Sequence, residues 1–332
     1  MALHFVVDDQ SKEISYLCPV TKQTVSGSYL NNTWTTIASD ECQDDWFQHS
    51  FHGTGVEIVV ASSKAEQNFF VKIDDGPWVR ERGRGRYISP PLVDGQHTVS
   101  YAAGELELPT FDYLIVKAGP STPLQGSAIV VDDSDSSLTY TGAWTTVVSH
   151  PPIHDLSTSA FKNSIHWSTT IGDALQFDFT GSSLAIFGIF ANLSLGQNFS
   201  ATYTLDGVST TGSILAGTLD GLPMTRLFST DAPAGNHTLS INITHISPPL
   251  AVGFDFLTYN ASFANLASVQ GYQTPVTASH HKKLSAGAIF GAVAGGITLT
   301  CTILLVFILL RKKHRRILMI RQRDKHAWSE LK

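Results

Sequence analysis

What this 332-residue chain lacks narrows its reading first. It contains no G-x-S-x-G elbow, no H-E-x-x-H pair and no phosphate-cradling glycine loop, so nothing in the sequence argues for an enzyme. Only 15% of its residues are charged and the net charge is −6, and no nucleic-acid partner is expected for a chain placed mostly outside a membrane. The three cysteines leave room for one bridge at most. No amphipathic helical period is evident before residue 284. The N-terminus lacks a basic segment followed by an apolar one, so the expected route of export is a signal upstream of Met1, with insertion directed by the chain's own apolar helix as the alternative.

One long apolar run stands out. Leu284–Leu310 carries no charge and no proline, and it exceeds the roughly 20 residues needed to cross about 30 Å of hydrocarbon. Arg311, Lys312, Lys313, Arg315 and Arg316 follow it directly, whereas only Lys282 and Lys283 precede it. Positive flanks stay in the cytoplasm, which puts residues 1–283 outside. The expectation is a single-pass protein, at the plasma membrane, with a cytoplasmic C-terminus. Six asparagines lie in N-x-S/T sequons: Asn31, Asn192, Asn198, Asn236, Asn242 and Asn260. All precede the helix, where glycosylation could reach them. Gly287, Gly291 and Gly295 recur at four-residue spacing, a small-residue face suited to a homodimer through the membrane helix. The basic tail suits anionic inner-leaflet lipids of the bilayer.

The outer portion is duplicated. Val6-Val7-Asp8-Asp9 recurs as Val130-Val131-Asp132-Asp133, and Trp34-Thr35-Thr36-Ile37 as Trp144-Thr145-Thr146-Val147. Ile73-Asp74-Asp75-Gly76 matches the Asp206-Gly207 region. Gly95-Gln96-His97-Thr98 matches Gly235-Asn236-His237-Thr238, and Phe111-Asp112-Tyr113-Leu114 matches Phe254-Asp255-Phe256-Leu257. Segments such as Leu175–Phe179 and Thr238–Ile243 alternate apolar and polar residues, the period of a half-buried strand. Gly, Asp-Gly and Pro-Pro punctuate them. The expected organisation is all-β: one sandwich over 1–119, a second over 120–262, a stalk over 263–283, the helix over 284–310 and a basic tail over 311–332.

The ordered pattern D-D, Y-x-G-x-W, F-x-F-x-G-[ST], L-D-G, G-x-H-T-L and F-x-[LF]-D resembles the galactose-binding-like, jelly-roll ectodomains of fungal single-pass membrane proteins. It departs from the pattern in the first copy, where Tyr16 and Trp34 are far apart. That resemblance implies a tandem β-sandwich on a membrane tether, most of its members having no assigned activity.

Candidate sites follow from residue type. Cys18 and Cys42, both outside the membrane, are expected to form a disulfide, worth about 3 kcal/mol by loop closure. Trp46, Trp78 and Trp167 have no counterpart between copies and are candidate ligand-stacking surfaces. Arg82 and Arg84, in the run Arg80–Arg86, could meet an acidic glycan. Asp8-Asp9 and Asp132-Asp133 offer oxygens to calcium, but aspartate also caps turns, and no metal or cofactor is expected. His97 and His237 read as turn-bonded strand histidines. The function expected is non-enzymatic recognition of a glycan or protein ligand, with a dimerising spacer or sensor as the alternative.

Overall fold

β-branched and aromatic residues alternating with Ser, Thr, Asn and Lys fix strands with one wet and one dry face. The computed structural model describes residues 3–24, 30–38, 44–63, 66–146, 160–191, 197–215 and 225–269. The first copy contains β1 (His4–Asp8), β2 (Ile14–Tyr16), β3 (Val20–Thr24), β4 (Thr33–Ile37), β5 (Phe47–Gly53) and β6 (Gly55–Ala61). It continues with β7 (Gln67–Ile73), β8 (Val79–Gly83), β9 (Tyr87–Ile88), β10 (Gly95–Ala102) and β11 (Thr110–Lys117). The second contains β12 (Ala128–Asp132), β13 (Leu138–Thr141), β14 (His166–Ser168), β15 (Ala174–Ala191) and β16 (Asn198–Leu205). β17 (Val208–Leu215), β18 (Thr225–Thr230), β19 (Gly235–Ile246) and β20 (Ala251–Ala261) complete it. The described residues are thus all-β, with only three-residue 3-10 turns besides. Among them no helix is long and apolar enough to cross a membrane. Leu284–Leu310, its glycines, the tail, Cys42 and Asn192 lie outside the described residues.

In the first copy a five-stranded sheet, β2-β5-β10-β7-β8, faces a layer built on β1, β11, β6 and β4. Phe47, Phe69, Val71, Val99 and Tyr101 from one layer meet Val56, Ile58, Phe111 and Leu114 from the other, all buried. The second copy repeats the sandwich with one difference. β15 runs unbroken through both layers, pairing with β19 over Ala174–Gly181 and with β20 from Gly181 to Ala191. In the first copy the same path is divided at Thr54 into β5 and β6. The corner residue is glycine in both. A Cβ on Gly53 would sit 2.6 Å from the Lys117 carbonyl oxygen, and one on Gly181 2.5 Å from that of Asn260. The repeated F-x-G block therefore records a close backbone approach.

The copies meet edge to edge. β1 pairs with β12 antiparallel: His4 opposite Val130, Phe5 opposite Ile129, Val6 opposite Ala128. These are equivalent strands, so the junction has the self-matching form of a two-fold dimer contact. A hydrophobic cluster beneath it draws equivalent residues from each side: Leu30 and Phe161, Val59 and Phe187, Tyr113 and Phe256.

The structure revises one repeat assignment. Thr35 lies opposite Phe111 on β11, while His166 lies opposite Phe254 on β20. Thr35 therefore corresponds to His166, not Thr145, and Trp34 to Ile165. Trp144 instead packs edge-on against Tyr140 and donates its indole N–H to the Ala174 carbonyl at 3.1 Å.

Candidate functional site

Two polar constellations recur in both copies. In the first, His97 Nδ1 lies 2.8 Å from Asp74 Oδ2 and its Nε2 lies 2.7 Å from the Val93 carbonyl. Asp74 Oδ1 also accepts the Thr98 amide at 2.8 Å. His237 repeats this with Asp206, at 2.6 Å, and the Pro233 carbonyl, at 2.7 Å, while the Thr238 amide reaches Asp206 at 2.8 Å. Two acceptors per imidazole favour the doubly protonated ring. The Val93 carbonyl and then Asp74 raise the pKa of His97, and Asp206 chiefly raises that of His237. The aspartates occupy left-handed turn positions, φ 53° and 50°. These clips pin the Asp-Gly turns to the neighbouring strands.

The second constellation uses the paired aspartates. Asp9 accepts from the Thr33 and Thr35 hydroxyls; Asp133 accepts from Ser164 at 2.6 Å and is reached by His166 Nδ1 at 2.6 Å. Deeper in, Asp112 accepts the Leu30 amide at 3.0 Å and Asp255 the Phe161 amide at 2.9 Å. The Tyr16 and Tyr140 hydroxyls donate to the Asp9 and Asp133 carbonyls, each at 2.8 Å. Burial pushes the carboxyl pKa of Asp8 up to about 6, and those of Asp112 and Asp255 well above the usual range, because a buried carboxylate loses its hydration. Among the described residues, no three His, Cys, Asp or Glu side chains are placed to hold a metal ion. The acids serve the backbone and neighbouring side chains.

The open surface lies elsewhere, on the solvent face of the five-stranded sheet. Strand register places Asn68, Phe70 and Lys72 of β7 beside Arg80 and Arg82 of β8, and Ser50 of β5 beside Thr98 of β10. β8 is an edge strand. Trp78, just before it, is 40% exposed, and the Lys72 ammonium lies 5.3 Å from its ring centroid. Arg82 forms a 3.3 Å pair with Glu66, both side chains largely in water, so that pair contributes little and leaves the guanidinium available. An exposed indole beside cations can cover the apolar face of a sugar ring while guanidinium groups bond its hydroxyls or carboxylates.

The expected site residues divide on this geometry. Trp78 and Arg82 share the open edge. Arg84 is exposed but beyond the end of β8. Trp46 and Trp167 are corrected: they are 0% and 5% exposed and have no face for a ligand. Trp46 packs edge-on against Phe47, Tyr101 and Phe111 in the first core, and Trp167 lies with Ile165 and Ile189. Sequence reading missed Lys72 as a face residue and did not single out Arg80 from the basic run. The two-residue alternation of β7 and β8 was the signal that could have found them. A separate cleft of about 400 Å³ opens in the second copy beside Asp178, Thr180, Asn236, Tyr259 and Phe263.

No known family model matches the sequence, and no curated protein does. Solved structures give distant likenesses. A family two carbohydrate esterase from Cellvibrio japonicus shares 18% identity over 41% of this chain and 34% of its own, at a TM-score of 0.30. This chain thus spans about a third of that esterase. The CBM36-1 domain of a multidomain xylanase from the hindgut metagenome of Trinervitermes trinervoides shares 11% identity over 41% of this chain and 99% of its own, at 0.29. The N-terminal CBM22-1-CBM22-2 tandem domain of Paenibacillus barcinonensis Xyn10C shares 11% over 77% and 97%, at 0.27. Likenesses this low leave the question of a ligand to the site itself.

Proposed function

We propose that this chain displays a non-enzymatic recognition module for a carbohydrate or protein ligand at the cell surface, tethered by Leu284–Leu310 with its tail on the inner leaflet. The ligand face is the open sheet of the first copy. The observation that carries the reading is the exposed Trp78 indole, gathered with Lys72, Arg80 and Arg82 on an edge where no other large aromatic is so exposed among the described residues. The expected test uses recombinant residues 1–262 on a glycan array and in protein pull-downs. Trp78→Ala combined with Arg82→Ala should lower binding by roughly tenfold or more, about 1.4 kcal/mol. Clean negatives for both ligand classes would sink the proposal.

The alternative, a spacer or sensor that dimerises through Gly287, Gly291 and Gly295, draws support from the β1–β12 pairing, which fixes the two copies to each other. Gly291→Ile separates the two readings. Loss of function with ligand binding intact favours the sensor, and loss of neither favours recognition.

A further inference from the structure

We propose that the second copy's outer sheet face is a glycosylated face, carrying N-glycans at Asn198, Asn236 and Asn242, and that the equivalent face of the first copy is left bare for the ligand. The proposal rests on the reading of residues 1–283 as an exported ectodomain.

In a strand, residues two apart share a face, so a sequon in a strand sets its asparagine and its hydroxyl residue on the same side. Asn236 and Thr238 lie exposed on β19, as do Asn242 and Thr244, while the residues between them, His237 and Ile243, are buried. Asn242 stands opposite Thr202 of β16, and alternation along β16 carries that face through Ser200 to Asn198. Three sequons from two adjacent strands thus open on one surface. Their hydrogen bonds suit modification. Asn236 Oδ1 accepts the Thr180 hydroxyl at 2.7 Å, and Asn198 Oδ1 accepts that of Ser247 at 3.2 Å. In both cases the side-chain carbonyl is occupied and the amide nitrogen is left for the sugar. A glycan on Asn236 would also stand at the mouth of the 400 Å³ cleft that this residue helps to line.

The first copy has lost the same positions. Matching the Gly-x-His-Thr blocks puts Gln96 where Asn236 stands and Ala102, itself buried, where Asn242 stands; counting back from the histidine-bonded aspartates Asp74 and Asp206 puts Glu66 at Asn198. Gln96 is exposed and opposite His52 on the open sheet. One methylene therefore separates Gln96-His97-Thr98 from a sequon. The transfer itself needs a lipid-pyrophosphate-linked oligosaccharide. The asparagine nitrogen bonds to the anomeric carbon of the first sugar, that carbon's bond to the pyrophosphate oxygen breaks, the nitrogen gives up one proton, and the lipid pyrophosphate departs.

The test is peptide mass mapping of the full chain from a eukaryotic secretory host, after enzymatic deglycosylation in heavy-oxygen water. Heavy-oxygen aspartate at two or three of positions 198, 236 and 242 is the expected result. Label at Asn31 or Asn260 with one or none of the three overturns this proposal and leaves the exported reading standing, whereas no label anywhere overturns both. A second arm uses Gln96→Asn. One additional glycan on the peptide containing residue 96 is expected; a chain glycosylated elsewhere but bare at that position overturns the assignment of equivalent, accessible faces.

Discussion

Phe5 lies directly opposite Ile129 across the β1–β12 pair, and the two occupy the same position in the duplicated sequence. A residue that meets its own counterpart marks a local two-fold axis. Two separate chains would form such a contact as a dimer; here both partners are covalently joined. The axis sits above the cluster of Leu30, Phe161, Tyr113 and Phe256, so sheet hydrogen bonds and apolar burial act on the same junction.

The two copies are therefore expected to unfold together. Calorimetry on residues 1–269 should show one transition, and Ile129→Ala, which empties a fully buried site, should cost about 2–5 kcal/mol. Two well-separated transitions in the unmodified protein would refute the coupling.

The buried acids set the pH response. A carboxyl whose folded pKa is raised favours folding when protonated, so its contribution is fully present below its ordinary value of 3.8 and is lost as pH rises through the folded value. Asp8, at about 6, places most of that loss between roughly pH 4 and 6 with a tail towards 7, and Asp112 and Asp255 act in the same direction. The raised histidines His97 and His237 add stability below about 6.5 and lose it as pH rises. His49, lowered by burial, opposes them. The melting midpoint should accordingly rise as pH falls from 8 towards 6, and Asp8→Asn should flatten the slope. A midpoint highest at pH 8 contradicts this account. At neutral pH, Asp112→Ala should cost about 1–3 kcal/mol by orphaning the Leu30 amide, with Asp112→Asn costing less.

Gly53→Ala and Gly181→Ala should each destabilise by about 1–3 kcal/mol, since the added carbon meets a backbone carbonyl oxygen and also a buried side chain, Val116 Cγ1 at 2.7 Å in one case and Tyr259 Cδ2 at 2.6 Å in the other. Urea titration of both variants checks it, and a neutral result at either corner would show that the strand path can shift.

The tryptophans should separate by role. Trp46→Ala is expected to cost about 3–5 kcal/mol, whereas Trp78→Ala should leave stability within about 0.5 kcal/mol and weaken ligand binding. Equal losses of stability for both would remove Trp78 from the ligand face.

Much of this architecture is legible in the sequence because it is local. Alternation marks β15 and β19, and the repeated Gly-x-His-Thr and Asp-Gly blocks converge on identical His–Asp clips at His97–Asp74 and His237–Asp206. The Trp34–Trp144 match fails for a physical reason: the conserved relation is the hydroxyl or imidazole facing Asp9 or Asp133, and Thr35 and His166 fill it with unlike side chains. Trp46 and Trp167 misled because a tryptophan without a counterpart in the other copy reads as a ligand surface, and only the packing of two layers shows them buried. The pairing of β1 with β12 joins segments more than a hundred residues apart, and no periodicity along either strand encodes it.

A strand at the end of a sheet offers unsatisfied amides and carbonyls to any passing chain, and duplicating a sandwich duplicates that hazard. By turning β1 and β12 towards each other, the protein uses one sticky margin to close the other. Left open, such margins would invite neighbouring molecules to zip together into aggregates. Loosening this pairing should therefore be felt first as lost solubility.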